Sequence, residues 1–565
     1  MPSPHLTIPA LTSTSTDQQA RDAKTSWTQQ NVAPILMAVM SSDRSAAPDL
    51  VRLGLIREDQ GRRLLDYYYR NCNDYVLIHD VQYDTWDRLQ SAPPILLASI
   101  LAIAAAARDG PAVVSETQNS AMTVARGLLL MTIFGRRVGS ETPFIVKHTD
   151  DMEQHTLEDI QAILTIGVYH RNCWLLIGLA TSLATNMGID HSYPRLLATG
   201  MGRDRSAELL EQDRPLVTQT RLWFALYSHD VQFNFANGRP PTIQIDSAML
   251  RCREFLEHPL SIATDVRLVA LIELLMLRTP LHVASLAGID QPSLVVKLKT
   301  FKKDLGEWFA YYDRRMSDSL NLPTTSYYRE SLRTQREYAI VFANSLLLRG
   351  ISQPPDLRRL SDDAYVLAIG AVRSAQACLD IVIRGSSYPK MLRFAIPHTR
   401  MSASFAASFL LRTSKLFPDR LDPSAVAADV ECLASMLAGY GAGQLAKALR
   451  TMLQRATAPS NGPGSSTDNP DHRTHTHTSS SSGRDLSGID STIPPTGTFG
   501  LDVDGHAGQT GQVMLAPPLP TDPSSLYVSN TQNDLTSDNL EFSFQDFWNS
   551  SIVDTFPLLD QNEPP

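Results

Sequence analysis

This 565-residue sequence has few cysteines, no long apolar run and no basic residue near its C-terminal end. Its five cysteines are widely separated, so their spacing indicates neither a zinc site nor a disulfide framework and favours a reducing compartment. The longest apolar run, residues 95–107, is shorter than the roughly 20 residues that cross a bilayer. The first residues also lack the basic and apolar segments of a secretory signal. We therefore expect a soluble, intracellular protein with no membrane partner.

Charge is distributed unevenly along the chain. The sequence has 59 acidic and 50 basic residues, which gives a net charge of −9. No lysine or arginine follows Arg484, whereas twelve acidic residues do, and subtracting their charge from the total leaves +3 for residues 1–484. A nearly neutral body with an acidic tail is not typical of a protein that binds nucleic acid through a general basic surface.

The composition divides the chain into four segments. Residues 1–47 are rich in Ser, Thr, Gln and Asp, which predicts a disordered leader. Long helical patterns occupy residues 48–456, with glycine and proline between them, and strand-like alternation is scarce. Residues 457–529 are rich in Ser, Gly, Pro, Thr and His and predict a disordered linker, and an acidic, aromatic segment follows at 530–565. The sequence therefore predicts an all-α fold, a large multi-helix bundle with disordered ends.

The sequence indicates three of these helices most clearly. In residues 156–170, apolar side chains recur every three or four positions, and Thr156 can cap the helix together with Asp159. Residues 94–107 are apolar on all sides, which in a soluble chain predicts a helix at the centre of a bundle. Residues 297–312 place one apolar stripe along a helix, formed by Leu298, Phe301, Leu305, Trp308 and Tyr312.

No arrangement of residues indicates catalysis or a metal site. A terpene cyclase holds magnesium with paired aspartates, but Asp150 and Asp151 lack the further acid that such a motif needs. His472, His475 and His477 could bind a transition metal, yet they lie in a Ser/Thr tract without supporting groups and are better explained as solvated side chains. No nucleophile, base and oxyanion donor converge. We therefore assign no catalytic, cofactor-binding or metal-binding residue.

A series of segments in the middle of the chain resembles one known family. The segments are, in chain order, residues 157–164, 174–180, 186–189, 221–230 and 238–241. Together they resemble the middle homology region of fungal zinc binuclear-cluster transcription factors, the fungal-specific transcription factor domain. The resemblance is clear from about residue 50 to 245 and weaker to about residue 456.

The resemblance implies a nuclear regulator of transcription by RNA polymerase II, often of metabolic or secondary-metabolite genes. Members of this family read DNA through six closely spaced cysteines that hold two zinc ions, and this sequence has no such cluster. We therefore expect no cofactor in the chain, and contact with DNA only indirectly or through a missing module. The partners implied are transcription coactivators or a DNA-binding protein, with a small-molecule effector and homodimerisation left open.

Seven residues form a structural motif within the resembling segments. They are Arg221, Trp223, Tyr227, Asp230, Gly238, Arg239 and Pro240. On a helix that ends at Asp230 the aromatic residues share a face, and after a turn at Gly238 the Arg239 guanidinium could reach the Asp230 carboxylate. We predict that Asp230 and Arg239 pair. The alternative is that both are solvated and that residues 238–241 form only a stiff turn.

The C-terminal segment interleaves aromatic and aliphatic residues with acidic ones. Its apolar residues include Phe542, Phe544, Phe547, Trp548, Phe556, Leu558 and Leu559. Like charges keep such a segment extended, so its aromatic side chains can dock into a coactivator groove as it folds, which is typical of an activation domain. The alternative is that these side chains dock on the helical body of the same chain.

Three functions remain open from the sequence. The first is a transcription regulator with a helical regulatory body and an activating tail. The second is a corepressor or inhibitor that acts through a DNA-binding partner, which the missing cysteines favour. The third is a helical small-molecule receptor or enzyme built on the same bundle, and a partly polar cavity inside the bundle would be its structural sign.

Overall fold

The computed structural model describes residues 49–134, 155–170, 173–286 and 288–457. Within these ranges every regular element is helical and there is no β-strand, which confirms the all-α prediction. The predicted leader and tail, and almost all of the linker, lie outside the described residues. The boundaries predicted between the four segments therefore stay predictions.

The described residues form a series of α-helices, and some of the segments between them contain short 3₁₀ helices. The helices of the first half are α1 (Glu58–Asn71), α2 (Asn73–Val76), α3 (Trp86–Ser91), α4 (Pro94–Asp109), α5 (Glu116–Phe134), α6 (Leu157–Gly167), α7 (Cys173–Asn186), α8 (Ser192–Ala198) and α9 (Ala207–Ala236). Those of the second half are α10 (Ala263–Leu286), α11 (Gln291–Asp318), α12 (Tyr327–Ser345), α13 (Asp362–Arg384), α14 (Tyr388–Leu392), α15 (Pro397–Leu416), α16 (Pro423–Gly439) and α17 (Gly443–Thr457).

Helix α4 lies at the centre of the first half of the body. It packs against α1, α5 and α6, and every residue from Pro94 to Ala105 is buried. Gly110 follows the last residue of the helix and has a φ of 74°, a backbone conformation that glycine adopts readily and that residues with a Cβ disfavour. The prediction of a central helix over residues 94–107 is confirmed.

The other two clearly indicated helices are also present. Thr156 Oγ1 accepts the Asp159 backbone N–H, and the Asp159 carboxylate accepts the Thr156 N–H at 2.6 Å, which completes the capping box of α6. Helix α11 buries the whole predicted stripe. Its Trp308 donates from Nε1 to the Ala270 carbonyl at 2.9 Å, so the stripe is held against α10.

Among the residues that the structure describes, two helices, α10 and α13, have stretches long and apolar enough to cross a membrane, Ala263–Ser285 and Asp362–Arg384. Half of the most apolar window in each is buried inside the protein. Helix α10 packs between α9 and α11, and α13 packs against α12 and α15. Their hydropathy is therefore explained by their positions as core helices of the body.

Candidate functional site

Helix α9 contains the first part of the predicted motif, and its arginine is buried. The Arg221 guanidinium donates from Nε and Nη2 to the two carboxylate oxygens of Asp265 at 2.6 and 2.9 Å. The two side chains are 2% and 0% exposed. Burial lowers the pKa of Arg221, but its attraction to Asp265 outweighs this and the net shift is upward. The pair joins α9 to the first turn of α10.

The aromatic residues of the motif are core residues. Trp223 and Tyr227 are both buried in the body. Almost every side chain of α9 from Val217 to Ala236 is buried, because α7, α8 and α10 all pack against this helix. These aromatic side chains therefore stabilise the packing around the helix.

Asp230 is a buried acceptor at the corner that follows α9. Its carboxylate accepts the backbone N–H groups of Thr242 and Ile243 at 2.8 and 3.0 Å, and also the Thr242 hydroxyl. Asn234 donates from Nδ2 to the same carboxylate at 2.8 Å. Gly238 has a φ of 62°, which allows the chain to turn back toward Asp230. The carboxylate thus fixes the segment that leaves the corner.

The predicted pairing of Asp230 with Arg239 is wrong. Within the described ranges, Arg239 has no ion pair, and its side chain is exposed. Its contacts are through the backbone, where its N–H donates to the Asn234 carbonyl at 2.8 Å. Pro240 and the next residue are prolines and offer no N–H, so the first free donors after the turn are those of Thr242 and Ile243. These donors take the position that the guanidinium was predicted to occupy.

This geometry predicts different effects for the two residues of the corner. Asp230→Ala leaves two backbone donors and a hydroxyl without their acceptor, and we expect the free energy of unfolding to fall by about 2–3 kcal/mol. Arg239→Ala removes an exposed side chain, and we expect a change within about 0.5 kcal/mol. Urea unfolding followed by circular dichroism measures both. Equal losses for the two variants would contradict this account of the corner.

A cavity of about 90 Å³ lies inside the body, among α2, α9, α10, α12, α14 and α15. Part of its wall is apolar, formed by Leu77, Leu271, Leu274, Leu275 and Ile396. The polar part of its wall includes His229, Gln232, Arg278, Tyr338, His398, Thr399 and Ser402. The body therefore contains the partly polar cavity that the receptor hypothesis requires.

Arg278 is the most unusual residue of this wall. Its side chain is 4% exposed, and no carboxylate of the described residues lies within ion-pair distance. Its guanidinium lies over the rings of Phe235, Tyr338 and Phe342, with 5.6, 5.2 and 4.5 Å between the guanidinium carbon and the ring centroids. Its buried Nε has no hydrogen-bond partner. Burial lowers the pKa of Arg278, but a guanidinium remains protonated in proteins.

Two histidines of the wall are neutral near pH 7. Burial lowers the pKa of His229 to about 4. Burial lowers the pKa of His398 to about 3, and the charge of Arg278 and the proximity of His229 add to that effect. Nδ1 of His398 is buried without a partner. With neutral imidazoles, the charged side chains of the wall are those of Arg267, Arg278 and Asp74.

Comparisons with known proteins show what the body is similar to. Residues 65–325 match the model of the fungal specific transcription factor domain. The chain is 26% identical to the transcriptional activator of proteases prtT of Emericella nidulans over 434 aligned residues. The alignment covers 72% of this chain and 59% of that protein. The chain thus spans about three fifths of the length of this curated relative. No solved structure matches the chain.

The matched range includes the buried pair, the corner and half of the residues that line the cavity. Arg221, Asp230, Asp265 and Arg278 all lie between residues 65 and 325, whereas His398 follows the matched range. The cavity residues were missed in the sequence because they come from helices far apart in the chain. One signal was available, since Arg278 interrupts the apolar side of a core helix, where an unpaired charge is rarely found.

Several residues considered from the sequence lie outside the described ranges. They are Asp150, Asp151, the three histidines of the linker and all the apolar residues of the tail. Among the described residues, no three His, Cys, Asp or Glu side chains are grouped so that they could hold a metal ion. The five cysteines are all described and free, and three of them are buried. The roles predicted for the tail stay predictions.

Proposed function

We propose that the chain is a fungal regulator of transcription by RNA polymerase II that acts in the nucleus on a metabolic or secondary-metabolite gene set. The match to the fungal specific transcription factor domain is the observation that supports this most directly. The similarity to a protein named as a transcriptional activator supports the same class. Because that relative is named for proteases, transcripts of protease genes are the first set to measure in a strain without the protein.

In this proposal the helical body regulates and the acidic tail recruits coactivators. The body has a buried core and a partly polar cavity, which suits a domain that changes its contacts when a ligand binds. The tail combines acidic residues with Phe542, Phe544, Phe547 and Trp548, a composition typical of segments that fold into a coactivator groove. Such a tail needs only a DNA-bound partner or module to act at a promoter.

A reporter experiment tests the tail. We expect residues 530–565, fused to a heterologous DNA-binding module, to raise reporter output several-fold above the module alone, because the aromatic side chains can dock into a coactivator groove. The control is the same fusion with Phe542, Phe544, Phe547, Trp548 and Phe556 changed to alanine, which keeps every charge. Activation by the alanine control, or none by the original segment, would overturn the role assigned to the tail.

A second candidate is a corepressor or inhibitor that reaches promoters through a DNA-binding partner. The wide spacing of the cysteines favours it, because these 565 residues contain no cluster of six that could hold two zinc ions. A gel shift with the full chain at about 150 mM salt separates direct from indirect contact, since nonspecific binding weakens steeply with salt. The second candidate predicts no shift until the partner is added, and a sequence-specific shift by the chain alone would exclude it.

A further inference from the structure

We propose that the cavity between α9, α10, α12 and α15 binds a small organic monocarboxylate, which pairs with the guanidinium of Arg278. A buried charge is stable only when it is paired and hydrogen-bonded, and Arg278 lacks a carboxylate among the described residues. The ligand would supply the missing carboxylate. The wall also offers hydrogen-bond donors and apolar side chains.

Other buried arginines of the body show how such a charge is normally compensated. Arg221 has a bidentate pair with a buried aspartate, Asp265. Arg267 donates to the Asp74 carbonyl at 2.7 Å and lies 3.7 Å from the carboxylate of the same residue. Arg400, like Arg278, has no carboxylate within ion-pair distance among the described residues and has an unpartnered Nε, but its Nη2 donates to the Arg393 carbonyl at 2.7 Å. Arg278 instead contacts the faces of three aromatic rings and hydrogen-bonds the Tyr338 side chain, while its Nε has no acceptor.

The charges of the wall indicate one negative charge on the ligand. The formal charges in the lining are those of Arg267, Arg278 and Asp74, because burial keeps the imidazoles of His229 and His398 neutral. Two cations against one anion leave one positive charge. A monoanion therefore neutralises the site, whereas a dianion would introduce a buried negative charge.

The polar groups near Arg278 can orient a carboxylate. His229, Gln232, His398 and Ser402 line the same cavity, and each can donate at least one hydrogen bond. For both histidines, no hydrogen bond from either ring nitrogen is found among the described residues, and the buried Nδ1 of His398 has no partner. The ligand carboxylate can therefore accept from an imidazole as well as from the guanidinium.

The size and the apolar wall indicate an organic anion. A cavity of about 90 Å³ exceeds the roughly 30 Å³ share of one liquid water and is smaller than the ~150 Å³ cavity that holds benzene. The ligand is therefore a small molecule with only a few carbon atoms. Leu271, Leu274 and Ile396 give a short hydrocarbon chain a surface to bury, which an inorganic anion does not need. Butyrate is a suitable probe.

Calorimetry and thermal unfolding of the full chain test this site, with butyrate as the probe and butyramide as the uncharged analogue. We expect butyrate to bind with a Kd between about 10 µM and 1 mM and to raise the melting temperature, whereas butyramide and inorganic phosphate leave it unchanged. Arg278→Met should weaken butyrate binding by about 30-fold or more, because the bound carboxylate then has no charged partner. Lys303→Met, which removes an exposed charge on α11, is the matched control and should bind as the original protein does.

A second variant keeps the test decisive if Arg278→Met does not fold. Ser402→Leu fills the cavity while the guanidinium is retained, and it should also abolish binding. The proposal is overturned if butyrate does not bind at 10 mM, if butyramide or phosphate binds as well as butyrate, or if either folded cavity variant binds unchanged. The assay involves no promoter, so its outcome is independent of the proposed function; only the role of the ligand as an effector rests on that function.

Discussion

Replacing Asp265 with asparagine is expected to destabilise the body by about 3–5 kcal/mol, because the Arg221 charge then remains buried without a counterion. The pair is almost completely inaccessible to water, at 2% and 0% exposure, so solvent cannot compensate. The Asp265 carboxylate also accepts the Ile262 N–H at 2.9 Å, which holds the start of α10. For a helical body of this size, the loss corresponds to a fall in Tm of about 4–6 °C, measurable by circular dichroism.

A double-mutant cycle separates the pair from the rest of the packing. Arg221→Met keeps the length of the side chain and removes its charge, and the double variant with Asp265→Asn removes both charges. We expect the double variant to lose less stability than the sum of the single variants, because neither partner is then left charged and unpaired. Additive losses would show that the two side chains do not act together.

An exposed ion pair provides the comparison. Lys303 and Glu307 are 3.9 Å apart on α11, with side chains 76% and 68% exposed. Lys303→Met makes the same kind of change as Arg221→Met, and we expect an effect within about 0.5 kcal/mol because exposed pairs contribute little. If Lys303→Met lowered the free energy of unfolding as much as Arg221→Met does, the effect would come from removing any charge and not from the burial of the Arg221 pair.

The elements predicted correctly from sequence are those with local causes. Thr156 and Asp159 form their capping box because the two side chains are three residues apart at the start of one helix. The stripe on α11 follows from the helical period alone. In each case, residues close together in the sequence determine the outcome, so the prediction needed no knowledge of tertiary contacts.

The wrong and missing predictions share a different origin. Asp230 and Arg239 are close in sequence and opposite in charge, but the carboxylate accepts from backbone N–H groups that the turn presents after two prolines. The cavity is formed by helices that come together only in the folded body, so Arg278 and His398 are 120 positions apart in the sequence yet line one space. Hydrophobic periodicity indicates which faces are buried, but it does not indicate which polar groups share a cavity.

The two histidines of the cavity should make the body sensitive to mild acid. Burial lowers the pKa of His229 to about 4. The pKa of His398 is about 3, lowered mainly by burial and further by the nearby Arg278 and His229. A histidine in the unfolded chain has a pKa near 6.5. Below pH 6.5 the unfolded chain binds more protons than the folded one, so stability is complete above that pH and falls as the pH decreases toward the folded pKa values. From pH 7 to pH 5, each histidine should cost about 2 kcal/mol.

The other ionisable groups around the cavity do not account for this window. Arg267 and Arg278 stay charged, and Asp74 faces the same space from α2. Burial raises the pKa of the tyrosines that line the cavity, Tyr75, Tyr327, Tyr338 and Tyr388, so they stay neutral from pH 5 to pH 7. Burial also lowers the pKa of His258 and His282 elsewhere in the body, which adds to the acid sensitivity of the original protein.

A difference between variants therefore isolates the cavity. His398→Asn stays neutral at every pH, and between pH 7 and pH 5 it should lose about 2 kcal/mol less stability than the original protein. His191→Asn, which replaces a histidine whose side chain is 69% exposed, is the control for the substitution itself. Urea unfolding at each pH gives the values, in buffers without carboxylates so that no buffer ion binds beside Arg278. If the curves for His398→Asn and His229→Asn run parallel to that of the original protein, the cavity histidines are not the groups that titrate.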